Sequence, residues 1–402
     1  MLIAIDYETY LISQDAPVPK PVCLSYYTEE GKTGLLVGDE MEEFMEKILR
    51  GPDRIIAHNM RFEMAVTDTY MPKLSPYIHQ KYEKGELICT KITEQLINCQ
   101  EKKPLFSYAL DALVQKYFEV DISGDKKDPD SWRLRYSELD GVPLEKWPKK
   151  AREYAINDSL WALKCFKSQI AVDYKLSAAA DFYLNKMGIQ GILIDTTRVD
   201  ELEADLIAKL KPSYEKLMEF GFVEHSKGKY KKKMKIFREY IKEHVADPKL
   251  SPKGDISTTS EALAEHTELE PVRLYLDVMK YEKALSAFVV RLKSVPRVTP
   301  EAPDDRPVTG SYGLIRSTYK AVVSSGRTSS STDSNFASVN IQQMPRELPG
   351  TRWDVRNCFT ARPGYKICSI DYSGLELTST THQLYTLTGR DDMRQILNSG
   401  DV

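Results

Sequence analysis

The stretch MLIAIDYET, Met1 to Thr9, opens the chain on an apolar run and closes it with two acids. Leu2 to Ile5 reads as a short buried strand. Successive side chains of a strand point to opposite faces, so Asp6 and Glu8 project from the same one. Two carboxylates that close repel each other unless a cation lies between them. A second apolar run, IIA at 55–57, reads as another strand. Between the two, Met41, Phe44, Met45, Ile48 and Leu49 recur at helical spacing behind Asp39, which the pattern places as an N-cap. Ser107 is placed to cap a helix with Leu110, Leu113, Val114 and Tyr117 on one face, and a third helix runs over about 149–170. Strands alternating with helices predict a mixed α/β domain ending near 170.

The third helix carries Tyr154, Asp158 and Trp161. Tyr154 and Asp158 are four residues apart, so phenol and carboxylate share a face, one turn apart. The segment AHNMRFE, 57–63, adds Asn59 and Glu63 just after the second strand. Oxygen ligands without a supporting His or Cys cluster suit Mg²⁺ or Mn²⁺ rather than zinc. Two such ions about 4 Å apart activate a water and stabilise the leaving oxygen in phosphodiester cleavage. The Tyr154 hydroxyl would orient that water. Taken singly, Asp6 or Asp158 also reads as a surface acid and Tyr154 as an amphipathic core residue. Their order and context carry the signal.

IDYET, AHNMRFE and YAINDS, in that order, resemble the three motifs of the 3'-5' exonucleases with an RNase H-like fold, in the subclass whose third motif is Tyr-x-x-x-Asp. The resemblance covers 1–170. It implies a proofreading-type nuclease acting on a single-stranded 3' end, with Asp6, Glu8, Glu63 and Asp158 as catalytic metal ligands, Tyr154 as a catalytic residue and Asn59 as a DNA contact. The chain departs from the family at Glu63, where Asp is usual. The extra methylene would let Glu63 reach an outer metal through water or a shifted backbone.

Beyond 170 the sequence changes character. VDELEADLIAKLKPSYEKLMEF (199–220) and VRLYLDVMKYEKALSAFVVRL (272–292) are long helical patterns with little strand signal around them, and prolines at 296, 300, 303 and 307 mark a linker. In the final part, Ile367, Ser369 and Asp371 alternate with Lys366, Cys368 and Ile370, which predicts a strand over 366–371 delivering Asp371 to its end.

SSGRTSSSTDSNFASVNIQQMPRE (324–347) and RNCFTARPGYKICSIDYSGLELTS (356–379) resemble the palm of family A DNA polymerases, especially the phage branch. MGIQGILID (187–195) and LSPKGDISTTSEAL (250–263) are similar to the family more loosely. The resemblance implies that Asp371 ligates two magnesium ions, aided by the Tyr372 carbonyl, and that Glu376 sits beside the incoming sugar. Arg327, Asn340, Gln342 and Gln343 would line the template-primer duplex, positioning it rather than reading sequence. A surface ion pair for Arg327 and a helix-start acid for Glu376 are the plainer alternatives. Thr378 stands where the family usually has Arg. The implied architecture is an α/β RNase H-like exonuclease domain (1–170), a mostly helical thumb-like region (171–300) and an incomplete α+β polymerase palm with the first catalytic motif (301–402).

Family A polymerases also carry a fingers helix with Arg and Lys, and a hairpin with His-Asp-Glu that supplies the second metal-binding Asp. Neither occurs in the thirty-one residues after Asp371, although the closing NSGDV resembles the start of the fingers. One carboxylate cannot set up two-ion nucleotidyl transfer. The expectation is therefore the N-terminal subunit of a split polymerase, which binds DNA alone but dNTP only in complex with a C-terminal subunit carrying fingers and the second palm motif. A stand-alone 3'-5' exonuclease and an inactive DNA-binding scaffold are the alternatives.

Composition agrees with a globular protein: 402 residues, 42% hydrophobic, net charge −3. That charge excludes a uniformly basic nucleic-acid binder but not a local patch. KGKYKKKMKIFREYIK, 227–242, is such a patch, read either as a solvated face or as a DNA contact. No apolar run reaches the ~20 residues a membrane span needs, and the N-terminus lacks signal-peptide features, which predicts a cytoplasmic protein. Six scattered cysteines without a CxxC pair indicate neither zinc nor disulfides.

Overall fold

The computed structural model describes residues 1–124, 130–300, 310–331, 339–345 and 347–399. Pro303, Pro307 and the last three residues of NSGDV lie outside them. The described residues form two compact units, 1–300 with 310–360, and 361–399.

The first unit begins with a five-stranded sheet: β1 (Leu2–Thr9), β2 (Pro21–Thr28), β3 (Thr33–Leu36), β4 (Arg54–Ala57) and β5 (Leu87–Cys89), in the order β3-β2-β1-β4-β5. β2 runs antiparallel to β1, whereas β4 runs parallel to β1 and β5 parallel to β4. The alternation of β1 assigns its two faces. Ile3, Ile5 and Tyr7 enter a core with α1 (Asp39–Arg50), α2 (Met60–Tyr70) and α3 (Ser75–Lys84). Ala4 packs with Ile56 and Ile88 against Ala162 and Leu163 of a long helix, Lys149–Ser168. That helix buries Ala151, Ala155, Ser159 and Ala162 against the sheet, and small side chains there let it come close. The strand therefore points its even-numbered residues, Asp6 and Glu8 included, toward the helix carrying Tyr154 and Asp158.

Two helix starts differ from the sequence expectation. Gly38, at φ 60°, is the N-cap of α1, and Asp39 is the first helical residue, with Glu40 and Glu42 in the same turn at the positive end of the helix. Ser107 does not cap a helix. Its hydroxyl accepts the Ala109 N–H at 3.2 Å, a local turn that delays the helix to Leu110–Phe118.

After 170, the helix Lys175–Gln190 places Ala178 and Phe182 in the core of the first sheet. Arg61 of α2 pairs with Asp181 of that helix at 3.1 Å and donates to the Tyr319 carbonyl at 3.0 Å. A second core surrounds the helices Thr196–Glu219 and Glu270–Ala284. Asp195 caps the first of these through the N–H groups of Thr197 and Arg198. Beside the helices lies an antiparallel four-stranded sheet assembled from distant segments: Phe359–Thr360, Ile192–Asp195, Tyr312–Ile315 and Arg297–Val298, in that order. The basic stretch folds in part as a hairpin, Val223–Ser226 with Lys229–Lys232, which the sequence reading had not placed. Its alternation failed to show because both faces of KYKK carry lysine.

The second unit contains two helices, Leu375–Thr388 and Asp392–Ser399. The strand expected over 366–371 is not formed. Among the described residues this unit holds no strand, so the segment has no neighbour with which to build a ladder. Ile367, Ile370 and Tyr372 are 57%, 87% and 76% exposed.

Candidate active site

Asp6 and Glu8 lie near the carboxyl end of β1, where the register with β2 shifts between Glu8 and Thr9. Bulges of this kind re-aim side chains beside functional sites. Asp158 reaches them from the facing helix, and carboxylate oxygens of Asp6, Glu8 and Asp158 lie within 4.8 Å of one another. Among the described residues this is the one group of three or more side chains so placed to hold a metal. The group opens into a cleft of about 760 Å³ lined also by His58, Asn59, Glu63, Lys91, Arg133, Tyr154 and Lys320.

Glu63 stands apart from the group of three. It sits in the first turn of α2, 3% exposed, lining the same cleft. Asn59, the N-cap residue of that helix, lies with its Oδ1 3.4 Å from the Lys91 ammonium. His58 is not a metal ligand: Nδ1 meets the Thr90 hydroxyl at 2.9 Å and Nε2 meets the Tyr108 carbonyl at 3.0 Å. Lys91, Arg133 and Lys320 escaped sequence reasoning. They come from a helix start, a short 3-10 turn and a strand end far apart in the chain, and a lone basic residue has no periodicity to mark it.

The electrostatics are those of carboxylates crowded into one cleft. Burial, then the charges of Asp158, Glu8 and Glu63, hold the Asp6 carboxyl well above the usual carboxylate range. Burial and Asp158 do the same to Glu8, with Arg133 pulling the other way. Burial pushes Glu63 up to about 8, against a lowering contribution from Lys91. The Tyr154 phenol is raised by burial and by the three acids, so it remains protonated. Glu8 Oε1 and Glu63 Oε2 are buried with no hydrogen-bond partner among the described residues. Buried carboxylate oxygens without partners are costly, and a divalent cation would satisfy them. An all-oxygen donor set of this charge fits Mg²⁺ or Mn²⁺.

The folded state binds the Glu63 proton more tightly than the unfolded chain does. Its contribution is therefore intact below the usual value of about 4.5 and lost as pH rises through about 8. In chelator, the advantage of Glu63→Gln over the parent chain in thermal melts should grow across that window. Mn²⁺ should stabilise the parent more at pH 8 than at pH 5. A pH-independent difference between the two proteins would contradict the assignment.

The polymerase-like residues fall in two places. Arg327, Asn340, Gln342 and Gln343 belong to the first unit. Ser330 donates to Asn340 Oδ1 at 2.7 Å, and Gln342 Nε2 donates to the Thr328 hydroxyl at 2.8 Å. These bonds hold Asn340 and Gln342 beside the hairpin Thr318–Lys320 with Ser329–Ser331, and Arg327 and Gln343 are exposed. Asp371, Tyr372 and Glu376 belong to the second unit and are exposed, with Glu376 in the first turn of its helix. In the basic hairpin, Tyr230 stacks on Tyr214 at 4.1 Å and Lys232 bonds Glu282, while Lys227, Lys229 and Lys231 face solvent.

No family model matches the chain, and no curated protein matches it. Among solved structures, the POL domain of Pol1 from M. smegmatis, in a complex with DNA primer-template and dNTP, is similar to it with a TM-score of 0.60 at 15% identity. The match covers 99% of this chain and 61% of that one, so the chain spans under two thirds of its neighbour's length. At this identity the likeness is one of fold. Among the described residues no helix is long and apolar enough to cross a membrane.

Proposed function

We propose that the chain is a metal-dependent 3'-5' exonuclease and the N-terminal subunit of a split family A DNA polymerase, active in DNA replication. The observation that carries the nuclease reading is the convergent group Asp6, Glu8 and Asp158, half-buried in a cleft that the Tyr154 phenol also lines. Mg²⁺ or Mn²⁺ bound there would polarise the scissile phosphate and lower the pKa of a bound water. Asp6, Glu8 and Asp158 would hold it, and Glu63 would face the same cleft. The neutral Tyr154 O–H, one helical turn from Asp158, orients the attacking water, and Asn59 meets the displaced strand. The M. smegmatis structure, solved with primer-template and dNTP, supports the polymerase half. Asp371, Tyr372 and Glu376 would take the first-motif roles, completed by a second chain with fingers and the remaining palm. The test is digestion of a 5'-labelled single strand: shortening from the 3' end that needs Mg²⁺ or Mn²⁺ and stops with chelator. No cleavage with either ion would leave a DNA-binding scaffold.

One observation favours a stand-alone nuclease as the second reading: the first site is assembled within its unit, whereas Asp371 stands on an exposed, unpaired segment.

Duplex binding is assigned to Arg327, Asn340, Gln342 and Gln343, with Lys229 and Lys231 adding phosphate contacts. Each phosphate contact contributes about 0.9 to the slope of log affinity against log salt. Replacing Lys229 and Lys231 by alanine should therefore flatten that slope by about 2 for duplex DNA. An unchanged slope would remove the hairpin from the DNA interface.

A further inference from the structure

We propose that the loop 102–109 forms a base-binding rim of the nuclease cleft, with the exposed Phe106 ring as the platform on which a base of the single strand stacks. This rests on the nuclease reading above.

Phe106 is 109% exposed, more than any other large apolar side chain among the described residues. Its neighbour Leu105 turns the other way and packs against the small core of Leu110, Leu113, Val114 and Cys165. The loop around the ring is held by hydrogen bonds along its length. The N–H groups of Lys102 and Lys103 both donate to the Asn98 carbonyl, where the helix Thr90–Glu101 ends. The Leu105 N–H donates to the Tyr108 hydroxyl at 3.3 Å, and the Ala109 N–H to the Ser107 hydroxyl at 3.2 Å. The Tyr108 carbonyl meets His58 Nε2 at 3.0 Å, which ties the loop to the segment carrying Asn59. With both flanks fixed and Leu105 turned inward, the phenyl stays in water, where an apolar ring contributes little to folding. Tyr108, Ala109 and Leu110 line the cleft together with Asp6, Glu8 and Asp158, so Phe106 stands two residues from its wall.

The chemistry around the ring selects its occupant. Lys102 and Lys103 are exposed in the same loop, and Phe106 is its one exposed large apolar residue, so the loop offers no contiguous apolar patch to a protein partner. An aromatic face flanked by cations suits a single strand, whose phosphates meet the ammonium groups while a base lies on the ring. Every base has such a face. The contact therefore tolerates any sequence, as a nuclease removing each 3' nucleotide in turn requires.

The experiment measures binding by the full chain in chelator, with a 5'-labelled oligothymidylate and with an abasic strand of the same length. Phe106→Ala and Phe106→Leu should each weaken oligothymidylate binding about tenfold, and Phe106→Trp should restore it, because the indole keeps the aromatic face that leucine lacks. On the abasic strand the parent and the three variants should bind alike, since no base is left to stack. In Mn²⁺ the alanine and leucine variants should raise KM for 3'-5' cleavage by the same factor. Unchanged oligothymidylate binding by Phe106→Ala would overturn the proposal and leave the ring to another partner. Equal weakening on the abasic strand would overturn it too, by making the loss one of phosphate contact or loop shape. Should Phe106→Ala fail to fold, Phe106→Leu against Phe106→Trp carries the comparison. Parent cleavage that ignores all three substitutions defeats only this inference. No cleavage by the parent with either ion defeats the nuclease reading, while the binding comparison still decides whether the ring holds a base.

Discussion

Asp6→Ala should lower 3'-5' cleavage at least ~10³-fold, on the scale of losing one group that stabilises the transition state. It should at the same time raise the melting temperature of the metal-free chain. Both effects have one cause. Asp6 shares its cleft with Glu8, Glu63 and Asp158, and its carboxyl is raised by desolvation and by the charges of Asp158, Glu8 and Glu63, so without a cation it works against the folded state. Removing it relieves that repulsion, and each kcal/mol recovered is about 2–4 °C for a large domain. With Mn²⁺ present the order should reverse, because the parent chain gains binding energy that the variant lacks. The pair of measurements is a 5'-labelled strand assay and melts with chelator or Mn²⁺. Cleavage by Asp6→Ala at the parent rate would end the assignment, whatever the melts show.

The second large effect concerns Asp371. The 402-residue chain with primer-template, dNTP and Mg²⁺ should give no extension, and a chain carrying fingers and a second palm carboxylate should restore it. Asp371→Ala in the restored mixture should abolish extension while leaving 3'-5' cleavage intact. Nucleotidyl transfer needs two ions held between carboxylates from two strands. Asp371 is exposed, on a segment that pairs with no strand among the described residues. Ile367, Ile370 and Tyr372 beside it present apolar surface and unpaired backbone of the kind that partner strands cover. The completed interface should exceed ~2,000 Å², as obligate contacts do. Amides over 366–372 should then gain strong protection from hydrogen exchange when the second chain is added. Extension by the purified chain alone, or no new protection on mixing, would defeat the split arrangement.

Periodicity made much of the first site legible. The strand period of two puts Asp6 and Glu8 on one face, and the helical spacing puts Tyr154 and Asp158 on another, each fixed by local geometry alone. The same reasoning failed at 366–371, where the alternation is real but a strand also requires a neighbour. It failed again at 229–232, where lysines on both faces hide the alternation of a hairpin that Tyr230 and Lys232 nonetheless anchor. The helix starts at Asp39 and Ser107 moved because a positive-φ glycine and a local hydroxyl turn settled the matter within a residue or two.

The sequence by itself determined which side chains share a face, because backbone geometry within one element is set by a few neighbouring residues. Only the tertiary structure decided that the two acidic faces meet, through small residues that let the long helix lie close on the sheet. It alone left Glu63 outside the group of three acids while lining the same cleft, and brought Lys91, Arg133 and Lys320 to the walls of that cleft. Those placements depend on contacts between residues tens to hundreds of positions apart, whose cost and reward are settled by packing and charge rather than by any local pattern.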